Sequence, residues 1–459
     1  MRSLLRFRTA ERTSESLSCV AAGHRADPRT LAAYLYRNAP LDLGATFYLG
    51  VRNELLPAAT RADDAPPSDV RPILDEKSAI DLVRTELRRA IATAIGPAKR
   101  VAVHASGGLD SSTLLALTLD LQRERGGSAF AIAIDFGGPG SDDQRHLRAL
   151  QAYLGCEVVR IAPAAGASFA DVLRNGVDAA PVLWPLATTQ LAVLAAAKAH
   201  GADVTITGVG GDDFFDGSPS ALASLALRQP VRAWKAFAHL DGWGDVSWFD
   251  GLVRPTLKRL VPKRVRALRA RRRPSTPTWA GPVLRDVRTK LVARDTERAL
   301  GGDLSPLAQL ESPVFRYFAW QVHQEQRTGL LERFDPILTH RVAFQVGRIA
   351  PHLLLAGNVR RGLLRAGMRG ALPDSLLDRL DKSEFTVAFS ELFASLGGVG
   401  AFREELDARM LRRLGIVEGG SFRDAATNAL ENPDDTAAYA LPWAALAAEA
   451  FLLRHPHLT

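Results

Sequence analysis

The residues predict an α/β fold: a parallel, doubly wound sheet followed by a helical C-terminal region. Three observations carry this. Between Ser78 and Thr207, short apolar runs alternate with segments of helical period, as parallel strands joined by crossover helices do. The run Val101-Ala102-Val103 leads into Ser106-Gly107-Gly108-Leu109-Asp110-Ser111-Ser112, which opens a helix. A second run, Thr205-Ile206-Thr207, leads into Gly208-Val209-Gly210-Gly211-Asp212-Asp213-Phe214-Phe215-Asp216-Gly217. Sheets of this kind bind ligands beyond the carboxyl ends of their strands, so both loops are expected at the site.

The elements follow in order. Residues 1–70 form a first region that ends in the Pro/Asp-rich stretch 61–72. Ile80, Val83, Leu87 and Ile91 fall on one face of a helix, with Ser78 and Asp81 as the expected capping box. A strand is expected at 100–104, a helix to about Arg125, and a strand at 130–135. A helix at 142–154, a strand at 157–161, an apolar helix at 186–200 and a strand at 204–207 complete the alternation. From about 214 onward the chain reads as helical, with Trp234, Phe237, Trp248, Phe249, Phe315, Phe318 and Trp320 expected in its core. There is no internal repeat.

Composition bounds the function. A chain of 459 residues can hold two domains, and 47% hydrophobic content is that of a globular protein. No uncharged apolar stretch reaches the roughly 18 residues a spanning helix needs, so no membrane partner is expected. Met1 to Arg12 is basic without an apolar run, so no signal peptide is expected and the cytoplasm is the default. Cys19 and Cys156 cannot make a disulfide framework or a paired-cysteine metal site. The net charge is +8. Much of it sits in Arg254 to Arg273, where Lys258, Arg259, Lys263, Arg264, Arg266, Arg269, Arg271, Arg272 and Arg273 occur without an acid. Few aromatics interleave, and Pro255, Pro262, Pro274 and Pro277 interrupt it. It therefore reads as a solvated connector that fits a peptide-delivering partner better than nucleic acid.

The two loops carry the chemistry. A Gly- and Ser-rich turn at a helix N-terminus presents bare N–H groups and hydroxyls to an anion. It lacks the lysine of a Walker A loop, so it suits a released pyrophosphate better than a transferred γ-phosphate. The Asp pair of the second loop suits Mg²⁺, which takes one or two carboxylates plus phosphate oxygens.

Ser106 to Ser112 resembles the pyrophosphate loop of the ATP pyrophosphatase superfamily, and Gly208 to Gly217 resembles the GxGGDE-(L/F)-F-x-G element of its asparagine synthetase branch. The resemblance covers about residues 75–400 and implies an adenine nucleotide α-hydrolase-like sheet, with 401–459 as a helical extension. Asp27 to Leu31 and Ala45 to Val51 resemble the closing part of that family's glutaminase domain, which makes 1–70 a truncated remnant. The glutaminase nucleophile is a cysteine after the initiator Met; here position 2 is Arg2.

Downstream, Gly329 to Arg341 resembles the block S-x-E-x-R-x-P-F-L-D-x-R-L, with Glu332, Pro336 and Arg341 matching; Phe334 stands for an Arg and Thr339 for the Asp. Leu363-Leu364-Arg365, Leu372-Pro373 and Arg379 to Phe385 resemble K-x-x-L-R…LP…R-x-K-x-x-F, with Lys382 and Phe385 matching and Arg379 one place early.

The resemblance implies an AMP-forming carbon–nitrogen ligase using ATP and Mg²⁺. Ser106, Gly107, Gly108, Ser111 and Ser112 would cradle pyrophosphate, Gly208, Gly210 and Gly211 would let the backbone approach the nucleotide, and Asp110 and Asp212 would hold Mg²⁺. Lys382 would stabilise charge at the α-phosphate as the acyl-adenylate forms, and Glu332 would assist the amine.

Val209 replaces the proton-moving or hydrogen-bonding residue often found there, which argues against plain asparagine synthesis. Without a glutaminase nucleophile, the amine is free ammonia, an amine from another chain, or one already in a small-molecule or peptide substrate. The last resembles the β-lactam synthetases and the lasso-peptide macrolactam synthetases, and is the favoured expectation. The alternatives are an asparagine synthetase fed with ammonia or with glutamine through another chain, a tRNA-modifying relative, and a degenerate nucleotide-binding relative.

Overall fold

The computed structural model describes residues 5–37, 42–55, 71–135, 142–217, 222–227, 229–239, 247–260, 276–301, 305–310, 312–379, 386–418, 420–432 and 436–459. Its centre is a five-stranded sheet in which every pairing is parallel. Three short antiparallel strands precede it: β1 (Leu5–Arg8), β2 (Thr13–Ser14) and β3 (Arg52–Leu55). The central sheet comprises β4 (Arg100–His104), β5 (Ser128–Ile134), β6 (Val158–Ile161), β7 (Val204–Ile206) and β8 (Arg333–Phe334). Its spatial order is β6-β5-β4-β7-β8. The order reverses between β4 and β7, and a crevice opens at such a reversal.

Side-chain alternation explains why both faces are covered. Val101, Val103, Ala131 and Ala133 pack into one core with residues of the helices Glu76–Ile95 and Leu109–Glu124. The intervening Ala102, Phe130 and Ile132 pack into another with the helix Ala187–Ala199. A strand buried on both faces reads as the continuous apolar run seen at β4 and β5.

The predicted strands and crossover helices are present, with ends shifted by a residue or two. The helix Asp142–Leu154 lies where it was expected. The capping box at Ser78 and Asp81 is not what starts the first helix. Asp75 is the N-cap, and its carboxylate accepts from Ser78 N at 2.8 Å. An Asp one turn upstream caps as well as a Ser does. β8 is an addition that the sequence reading did not contain.

Residues 5–55 and the C-terminal helices share a core: Phe7, Tyr34 and Phe47 belong to the same buried cluster as Phe389, Tyr439 and Trp443. Asp178 pins the N-terminal segment to it. Its carboxylate accepts from Ser16 Oγ at 2.5 Å, Leu17 N at 2.7 Å and His323 Nε2 at 2.9 Å.

Three of the seven aromatics expected in the core lie outside it. Trp320 is buried, and Phe237, Phe315 and Phe318 are half-buried. Trp234, Trp248 and Phe249, in contrast, are about half exposed, at 49%, 51% and 49%. The helices around them bury only a small cluster, Leu222, Leu225, Ala233, Leu252 and Leu355, which leaves one face uncovered.

Candidate active site

The first loop runs from the end of β4 into the helix Leu109–Glu124. Gly107 takes φ +76°, a left-handed conformation that glycine adopts without cost. Gly108 is the N-cap, and no side chain caps the turn. The first-turn N–H groups of a helix have no partner within it, so this end offers them to an external acceptor. Ser111 Oγ donates to Gly108 O at 3.2 Å and accepts from Ser106 N at 3.3 Å, which closes the loop on itself. Ser112 is fully buried, and its hydroxyl has no hydrogen-bond partner among the described residues.

The second loop leaves β7 beside the first. A Cβ at Gly208 would lie 2.9 Å from Ser111 N. Gly210 caps the short helix Gly211–Phe215. A Cβ at Gly211 would lie 2.1 Å from the Asp110 Cγ, so only glycine lets the two motifs touch.

The contact brings carboxylates together around one cation, Arg361. Its guanidinium donates to Asp110 Oδ2 at 2.8 Å, pairs with Asp212 Oδ1, and lies 3.1 Å from Asp216 Oδ1. Arg360 holds Asp216 in a two-pronged pair at 2.5 and 2.8 Å. Arg361 takes φ +55°, uncommon outside glycine. It also occupies the first position of the K-x-x-L-R pattern whose ending is Leu364-Arg365, a signal that the sequence reading passed over.

Magnesium fits these residues. Asp110 and Asp212 already converge on a single positive group, and both offer hard carboxylate oxygens. Arg361 stands where such a cation would neutralise them. Arg379 Nη1 also reaches the first loop, donating to Gly107 O at 3.5 Å. Lys382 and Phe385 lie outside the described residues.

The 329–341 block runs through β8 into the helix His340–Gly347. Glu332 is half-buried, and its carbonyl accepts from Thr205 N at 2.9 Å. Thr205 lies three residues before Gly208, about 10 Å down an extended strand. The ion pairs described for Arg361 are with Asp110, Asp212 and Asp216. Because Arg stands at 333 instead of 334, it points to the opposite face of β8. There it is buried, pairing with Glu325 at 2.7 Å and Asp335 at 3.1 Å. Asp335 also accepts the Thr207 hydroxyl, and Thr207 Oγ1 accepts from Val209 N at 3.3 Å. This buried network thus fixes the floor of the glycine loop. Thr339 caps the helix His340–Gly347, accepting from Val342 N at 3.3 Å, and Arg341 grips Glu86 at 2.6 and 2.9 Å.

Burial pushes Glu325 up to about 7, and Glu449 likewise to about 7. Arg333 is already matched by Asp335, so a second carboxylate in that dry setting prefers its proton. Burial and the Arg333 charge hold His104 down to about 3. The two raised carboxylates stabilise the fold below their unfolded value, and that contribution is lost as pH rises through about 7. The depressed histidine acts oppositely, losing its contribution as pH falls below about 6.5. Between about pH 6.5 and 8 the carboxylates decide the sign. Urea denaturation is expected to show stability falling by about 1 kcal/mol across that window, and Glu325→Gln with Glu449→Gln is expected to flatten it.

The family model described as asparagine synthase matches residues 82–453. The chain belongs to the asparagine synthase family. Both loops, β8 and the Arg361 cluster lie within the matched residues. Membership makes the chain an ATP-dependent amide ligase in general terms. No curated protein matches it. Among solved structures, it is similar to an NAD+ synthetase of Burkholderia pseudomallei, at 20% identity over 60% of this chain and 94% of that one, TM-score 0.23. It is also similar to a U34-tRNA thiolase of Methanococcus maripaludis, at 14% identity over 49% of this chain and 80% of that one, TM-score 0.22. Likenesses this distant say nothing of what the chain binds. No helix among the described residues is long and apolar enough to cross a membrane.

Proposed function

We propose that the chain activates a substrate carboxylate as an acyl-adenylate and joins it to an amine carried by the same molecule, a macrolactam- or β-lactam-forming role. The observation that carries the adenylation half is the convergence of Asp110 and Asp212 on one cation beside an uncapped helix N-terminus.

A substrate carboxylate oxygen attacks the α-phosphorus of ATP, the bond to the β-phosphate oxygen breaks, and pyrophosphate leaves. The first-turn N–H groups of Leu109–Glu124, with Ser106, Gly107, Gly108, Ser111 and Ser112, hold that leaving group. On the strength of the sequence resemblance, the loop of Gly208, Gly210 and Gly211 approaches the nucleotide with its backbone. Asp110 and Asp212 would hold Mg²⁺, which when bound neutralises phosphate charge. Lys382 steadies charge at the α-phosphate. The amine nitrogen then attacks the acyl carbon, loses a proton, and AMP departs; Glu332 assists the amine on the strength of the sequence resemblance.

Val209 in place of a polar residue supports an amine positioned by its own tether instead of by the loop. Mass spectrometry of the product tests this. An ammonia-independent product lighter than its substrate by the mass of water is expected. A product formed only with added ammonia, or no product from a chain that binds ATP, overturns the proposal.

A further inference from the structure

Six of the eleven large apolar side chains exposed among the described residues lie between 227 and 257: Leu227, Val231, Trp234, Trp248, Phe249 and Leu257. They are not scattered. The helices Pro230–Ala238 and Arg254–Leu260, with the turn Phe249–Val253, enclose a groove of about 480 Å³. Val231, Trp234 and Leu257 line it, and the buried Leu252 closes it. Trp248 extends the wall, meeting Trp234 edge-on with ring centres 5.7 Å apart. Contiguous apolar surface of this kind marks an interaction site.

The surroundings are cationic. Arg232 and Lys235 are exposed, each one residue beyond Val231 and Trp234, so they flank the apolar stripe. Among the described residues of the patch Asp250 is the acid, and Arg254 pairs with it at 2.9 Å. With Arg254, Arg232 and Lys235 make three cations to one acid among the described residues at the groove.

We propose that this groove docks an acidic segment of a partner protein, whose apolar side chains fill the groove and whose carboxylates face the basic rim. Charge complementarity selects that occupant. A second copy of the chain would set like charge against like. A bilayer surface would leave the concavity unfilled.

Fluorescence anisotropy with a labelled synthetic helical peptide of Leu and Glu, its Leu residues on one stripe, tests the proposal on the full chain. The same peptide with Lys for Glu, and vesicles of phosphatidylcholine with or without phosphatidylserine, are run beside it. The Glu peptide is expected to bind, more weakly as salt rises. Trp234→Ser and, separately, Lys235→Glu are expected to weaken it by about tenfold, with melting temperature and ATP–pyrophosphate exchange unchanged. Several results overturn the proposal: equal binding of the Lys peptide, binding that neither substitution weakens, binding to the anionic vesicles alone, or a concentration-dependent dimer that Trp234→Ser disperses.

Discussion

Asp110→Asn is expected to lower carboxylate-dependent ATP–pyrophosphate exchange by about a thousandfold, the size of effect that removing a preorganised charge from a reacting phosphate produces. The substitution keeps the shape that Gly211 accommodates and removes only the charge. Asp110 is the carboxylate that both motifs share: it stands on the first turn of its helix, against the second loop, and grips Arg361. Asp216→Asn is the informative contrast. Asp216 is held by Arg360 as well as Arg361, so its loss is expected to loosen the cluster and cost about tenfold. Comparable losses at both positions would mean that the cluster acts as a structural unit and not as a cation site.

The largest expected effect on stability lies one layer below. Arg333→Met removes a side chain only 2% exposed from between two carboxylates that are 6% and 8% exposed. Breaking such a buried set by deleting one partner costs about 3–5 kcal/mol. Because Asp335 holds Thr207, and Thr207 holds Val209 N, the affinity for ATP is expected to fall as well. Adding Asp335→Asn to Arg333→Met is expected to recover part of the stability, since it removes the carboxylate left without its cation. Urea denaturation checks both, and a single substitution that costs under about 1 kcal/mol would remove the network from the account.

These residues show what the sequence exposes and what it hides. β4 to β7 and their helices were legible because strands buried on both faces are continuous apolar runs, and because each functional loop breaks such a run with glycine. β8 was not legible. Two residues, Arg333 and Phe334, carry no strand pattern, and only the pairing of Thr205 and Ile206 makes them a strand. The same short strand explains the altered block: moving the arginine by one position turns it from one face to the other, a consequence of register that spacing alone does not reveal. Asp212 is legible from the chemistry of its motif, and Asp110 from the family resemblance. Arg361 was missed because the pattern containing it was read for its ending. Trp234, Trp248 and Phe249 were misplaced because aromatic content says nothing about which face a neighbouring helix covers.

The central claim is adenylation, and ATP–pyrophosphate exchange in Mg²⁺ with a panel of carboxylates and peptides tests it most directly. The account predicts label passing from pyrophosphate into ATP only when one particular carboxylate is present, and not at all with Asp110→Asn. Release of ADP and phosphate, or no exchange from a folded chain that binds ATP, would contradict it.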